Sequence, residues 1–187
     1  MKKANPLTAI VSSAVFIISG VASAYLFHEN GGQVEVGMNQ VLPGLLFVFT
    51  CVCTFLIMGI KLDVGKVLMF SLLEYLTYLI VFFITLYTSV LGIVIGIILC
   101  GVGALVTFTL TDRFIKKIAY VPRSVFLLGG LGFLINLALL LESVSAAIKP
   151  LYEIQGSVYS SFTPAILFWQ VIVGIKFSFT LAKHTHH

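Results

Sequence analysis

Six apolar runs, each about the 20 residues that a helix needs to cross hydrocarbon, leave this chain little from which to build anything else. They cover residues 7–27, 41–60, 67–88, 92–110, 124–141 and 164–182. Of the 187 residues, 59% are hydrophobic and only 10% are charged, and the mean hydropathy is +1.12. That much polar surface cannot cover a water-soluble globule of this size. The expected fold is all-α: one integral membrane domain over residues 1–187, a six-span transmembrane helical bundle with short loops. An outer-membrane barrel would need segments of about ten residues with alternating polarity, whereas the runs here are continuous.

Orientation follows from the basic residues. Lys2 and Lys3 precede the first run, and Lys61 and Lys66 lie between the second and third. Arg113, Lys116, Lys117 and Arg123 lie between the fourth and fifth, and Lys183 follows the sixth. The opposite gaps, 28–40, 89–91 and 142–162, contain only Lys149, while Lys176 sits inside the last run. Basic gaps face the cytoplasm, so both termini are expected inside a multi-pass protein of a bacterial-type plasma (inner) membrane. The formal charge of +4 then reflects topology and anionic lipid headgroups. Nothing alternates basic and aromatic residues on a soluble surface, so nucleic acid is excluded as a partner.

The five prolines, at 6, 43, 122, 150 and 164, fall at or outside the expected span ends, where a missing N–H costs least. Asn5-Pro6 and Thr163-Pro164 read as helix starts, and the fifth span can extend to Lys149 before Pro150 stops it. Lys2, Lys3 and the small residues Ala22, Ser23 and Ala24 resemble a cleavable secretory signal. The apolar run continues through Tyr25, Leu26 and Phe27, which favours a retained first span. Three spans in and three back would suit an inverted repeat, but no residue-level similarity links the halves.

Two ionisable residues lie within the apolar runs. Glu74 and Lys176 fall at similar depths, roughly 12 and 10 Å from the basic side. A charge in hydrocarbon costs a few kcal/mol and seeks a partner, water or the interface. The expectation is that Glu74 faces Lys176 across the bundle, with Tyr78 one turn beyond Glu74 on the same face; the alternatives are a snorkelling Lys176 and a protonated, hydrogen-bonded Glu74. Asn136 is a third polar candidate, read first as a hydrogen bond between helices. It follows Gly129, Gly130 and Gly132, which allow close packing or a cavity.

Gly92, Gly96, Cys100 and Ala104 recur every fourth residue, a small-residue ridge along which another helix can approach. Gly20 and Ala24 form a shorter version. A partner within the chain is favoured, and an exposed ridge would point to oligomerisation or docking.

No catalytic, metal or cofactor site is expected. Cys51 and Cys53, two residues apart on a helix, point to nearly opposite faces and cannot chelate one ion, and Cys100 belongs to the ridge. His28 falls in a gap, and His184, His186 and His187 form a terminal tail without a supporting shell. A membrane enzyme would need a nucleophile and base, paired carboxylates or converging metal ligands, and the runs contain a single deep carboxylate. Glu29, Glu35, Glu142 and Glu153 in the outer gaps read as solvated loop charges. The 111–123 gap mixes Phe114, Ile115 and Ile118 with four basic residues, which suits a short segment lying against anionic lipid or a cytoplasmic subunit.

In length, span number and the side of its termini the chain is similar to the substrate-binding membrane subunits of energy-coupling-factor vitamin transporters. The resemblance covers size and topology and assigns no residue. Two functions therefore stand in front. One is small-solute or ion transport, alone or as the membrane subunit of a transporter, with Glu74, Tyr78 and Lys176 lining a half-cavity. The other is a non-catalytic accessory, assembly or immunity-type role that acts through a protein partner or a second copy. A polar cavity reaching Glu74 favours the first, and a dry core with a lipid-facing ridge favours the second.

Overall fold

The computed structural model describes residues 6–28, 38–87, 92–139 and 163–184. They form six long helices: α1 (Pro6–His28), α2 (Met38–Ile57), α3 (Val64–Tyr87), α4 (Gly92–Leu110), α5 (Pro122–Leu139) and α6 (Thr163–His184). Among the described residues there is no strand. Each helix packs on its neighbours in sequence, and α1 closes the ring on α6. Three helical stretches, Pro6–Tyr25, Val64–Ile84 and Val94–Ile115, are long and apolar enough to cross a membrane, and shorter apolar stretches run over Val41–Ile57 and Pro122–Ile135.

The ring carries an apolar exterior around an apolar core that also holds several polar side chains. Leu7, Ile10, Ile18, Phe49, Leu68, Leu72, Ile80, Val94 and Leu127 are exposed, while Ser12, Ser23, Thr54, Glu74, Thr107, Gln170 and Ser178 are buried. Such an exterior is matched to hydrocarbon, and buried hydroxyls serve close packing and contacts between helices. The interior is aromatic at its centre. Phe177 of α6 meets Phe16 of α1, Phe55 of α2 and Phe108 of α4 edge to face, with ring centroids 6.1, 5.8 and 5.4 Å apart, the arrangement the ring quadrupoles prefer.

Small residues set how near the helices come. A side-chain carbon at Gly129 would lie 2.5 Å from the Cys100 carbonyl oxygen and 2.8 Å from Ala104 Cβ, so α5 rests on the backbone of α4 there. A carbon at Gly96 would run into the Phe133 ring. The ridge thus faces α5 within the same chain; Gly92 opens α4, Gly96 and Ala104 are buried, and Cys100 is half-buried. Gly132 lies against the backbone of Trp169 on α6, and Gly20 of α1 sits against Leu167 and Val171.

The helix ends follow local chemistry. At the end of α2, the Ile60 N–H donates to Phe55 O at 3.0 Å and the Gly59 N–H to Leu56 O at 2.9 Å, a Schellman closure. It requires the left-handed conformation that Gly59 adopts at φ +66°. Asp63 then starts α3, its Oδ1 accepting the Lys66 N–H at 3.0 Å. This is an N-cap, and Asp63→Ala is expected to cost about 1 kcal/mol, measurable as a lowered midpoint in detergent-based unfolding. Past Leu110 the chain widens into a π-turn, Thr111–Ile115, closed by the Lys116 N–H on Thr111 O at 2.9 Å. Asp112 holds the following segment by accepting from Ile118 N at 2.9 Å and Lys117 Nζ at 3.0 Å.

Two expectations about chain ends are corrected. Pro43 is the sixth residue of α2 rather than a span-end residue, because that helix begins at Met38. His184 is no part of a loose tail: it ends α6, and its Nε2 accepts the Ala119 N–H at 3.1 Å. This bond brings Lys183 to the same end of the bundle as the basic 111–123 segment. His28 closes α1. The possible extension of the fifth span to Lys149, the outer acids Glu29, Glu35, Glu142 and Glu153, and His186 and His187 lie outside the described residues.

Candidate functional site

Four helices of the ring line a half-open cavity of about 70 Å³. From α3 it is lined by Glu74, Thr77, Tyr78, Val81 and Phe82; α4 supplies Cys100 and Gly103, α5 supplies Phe133, and α6 supplies Trp169 and Gln170. The α3 residues belong to one stripe. Phe70, Glu74, Tyr78 and Phe82 recur every fourth residue, the spacing that keeps side chains on one face.

Glu74 is 2% exposed. It stands ten residues beyond the first residue of α3, about 15 Å along the axis, and so close to the middle of the helix. Thr107 Oγ1 of α4 donates to its Oε1 at 2.6 Å, and the same hydroxyl lies 3.1 Å from Gly103 O. The second carboxyl oxygen, Oε2, is buried without a hydrogen-bond partner among the described residues.

Gln170 has the same unfinished pattern. Its Nε2 donates to Pro43 O of α2 at 3.1 Å, while its Oε1 is buried and unpartnered among the described residues. The neighbouring Trp169 donates its indole N–H to Cys100 O at 2.9 Å, and Thr77 Oγ1 donates to Leu73 O at 2.8 Å. Tyr78 stacks on Phe82, with centroids 5.9 Å apart and planes 8° apart. A Cβ at Gly44 of α2 would run into the Tyr78 ring, so that glycine is what lets the ring lie where it does.

The expected contact between Glu74 and Lys176 is not formed. The only ion pair among the described residues is Lys117–Asp112 at 3.0 Å. The reason is the phase of α6. Gln170, Val173, Gly174, Phe177 and Leu181 make its buried stripe, and Lys176, six residues from Gln170, is turned about 120° away. Lys176 is half-buried and is absent from the cavity wall. Tyr78 does share the face and the cavity with Glu74. Asn136 lies on α5, but its side chain falls outside the described residues. Among the cysteines, Cys51 is buried, Cys53 is half-buried and Cys100 borders the cavity.

Thr107, Trp169 and Gln170 did not stand out in the sequence. A signal existed for Gln170, since an amide within an apolar run must find a partner in hydrocarbon. Thr107 gave none, because a threonine inside a membrane helix ordinarily bonds its own backbone. No protein-family model, curated protein or solved structure matches the chain.

Proposed function

We propose that the protein is a small-solute or ion transporter, or the membrane subunit of one, built from six spans around the Glu74 cavity. The observation that carries this reading is a carboxyl group with one unpartnered oxygen at mid-helix depth, on the wall of a cavity lined by four helices. Ionisable groups so placed in a membrane protein mark ion and substrate pathways. The accessory-partner reading needed a dry core and a free ridge, and here the ridge packs against α5.

The same reading places the protein in the plasma membrane with both termini inside. Lys61 lies in the connection after α2 and Lys66 in the first turn of α3, while Arg113, Lys116 and Lys117 follow α4 and Arg123 lies in the first turn of α5; the bond between Ala119 and His184 adds Lys183 to the latter group. One-sided basic charge of this kind marks the cytoplasmic face.

Purification in mild detergent followed by mass spectrometry of co-purifying species tests the assignment. A small molecule retained by the parent and lost from Glu74→Gln is the expected result. A stoichiometric protein partner with no bound solute would replace it with the accessory role. A cysteine placed at Arg113 should resist impermeant reagents in intact cells, and labelling from outside would invert the topology.

A further inference from the structure

We infer that the cavity binds a small ammonium cation: ammonium itself or a primary amine of one or two carbons, paired with Glu74 and donating to Gln170. The inference rests on the transport reading and specifies its substrate class.

The argument begins with the polar groups of the wall. Three of their donors are committed to the protein: Trp169 Nε1 to Cys100 O, Thr77 Oγ1 to Leu73 O, and Gln170 Nε2 to Pro43 O. Two acceptors of the wall are left without a donor. Glu74 Oε2 and Gln170 Oε1 are both buried, on residues 2% and 1% exposed, and neither has a partner among the described residues. An unmade hydrogen bond at a buried polar atom costs about 1–3 kcal/mol, more when the atom is charged, so both oxygens call for a ligand that brings N–H groups.

Charge and shape narrow the class. A carboxylate repels anions, and no side-chain cation pairs with it among the described residues. Tyr78, Phe82, Phe133 and Trp169 make up most of the remaining wall, and aromatic rings attract a desolvated organic cation through their π-systems. Two oxygens are too few for a dehydrated alkali ion, which lacks donors of its own. An ammonium group suits two acceptors and an aromatic lining together. Size favours a small head group, because a closed cavity of about 150 Å³ is what holds benzene and this half-open one has about 70 Å³. Three or so heavy atoms fit.

Trp169, the single tryptophan of the chain, is a reporter already in the wall. The full-length protein in nanodiscs is titrated with methylammonium chloride at constant ionic strength, with choline chloride and potassium chloride as comparisons, and Trp169 fluorescence is followed. A saturable change with methylammonium, absent with choline and potassium, is expected. Glu74→Gln should weaken it by about tenfold or more, the loss of one charge-assisted bond, and Gln170→Leu should weaken it to a smaller degree. If Glu74→Gln does not stay monodisperse, the Gln170→Leu titration bears the test.

No saturable response from folded parent, or equal affinity in the variants, overturns the site. An equal response to potassium overturns the amine in favour of a general cation site, and a response to none of the salts leaves water as the occupant. Uptake of labelled methylammonium into proteoliposomes separates this inference from the broader reading. Binding without uptake overturns transport and keeps the site, whereas retention of a neutral solute with no methylammonium response overturns the amine and keeps transport.

Discussion

Replacing Glu74 with Leu is expected to abolish solute retention and methylammonium uptake while leaving the bundle as stable as the parent or more so. The carboxyl group is buried, has one bond from Thr107, and has no cationic side chain paired with it among the described residues. Removing such a group and filling its volume with hydrocarbon is often neutral or stabilising, by roughly 1–2 kcal/mol in a case like this. Thr107 is not orphaned by the change, because Gly103 O is already 3.1 Å from its hydroxyl. Activity and stability should therefore move in opposite directions, the sign of a group kept for function at a cost to the fold. Unfolding followed in detergent alongside proteoliposome uptake measures both. A loss of more than about 2 kcal/mol, beyond the worth of one hydrogen bond, would make Glu74 a structural residue held by Thr107.

Gly129→Val carries the largest expected penalty to the fold. Its first side-chain carbon meets the Cys100 carbonyl oxygen at 2.5 Å, the Gly101 Cα at 3.0 Å and Ala104 Cβ at 2.8 Å. None of these is the far end of a flexible side chain, so α4 and α5 must separate along their contact. Overpacking of this kind costs about 1–3 kcal/mol, and with a branched residue against backbone the upper part of that range or beyond is expected. Gly103→Ala is the matched control on the facing helix: its added carbon would find Trp169 at 3.4 Å and Val81 at 3.6 Å, ordinary contact. The thermal midpoint of Gly129→Val should fall well below both parent and control. Equal midpoints would show that the two helices do not meet at this ridge.

Both results depend on features the sequence displays unequally. The helices were legible because each comes from one long, continuous apolar run of nearly helical-span length, and α4 occupies the 92–110 run as read. Errors were confined to ends. α2 begins three residues before the 41–60 run and takes Pro43 into its first turns, where Pro43 O gains Gln170 as a donor. The ridge on α4 could be read as a contact surface, but its partner could not, since glycines on α1 and α5 are equally small. Glu74 and Tyr78 share a face by spacing alone, whereas pairing Glu74 with Lys176 matched two depths and ignored the angle at which α6 is turned.

The amino-acid order by itself determined that this chain is made of long apolar helices, that its basic residues gather in alternate connections, and that one carboxylate lies deep among them. These properties depend on distance along one helix, which runs at a constant rise per residue. Tertiary packing alone decided that six helices close into a ring, that Thr107 and not Lys176 meets Glu74, and that Gln170 and four aromatic rings complete the wall. Those outcomes depend on rotation between helices, and small residues such as Gly129, Gly132 and Gly44 set that rotation only when a particular neighbour presses against them.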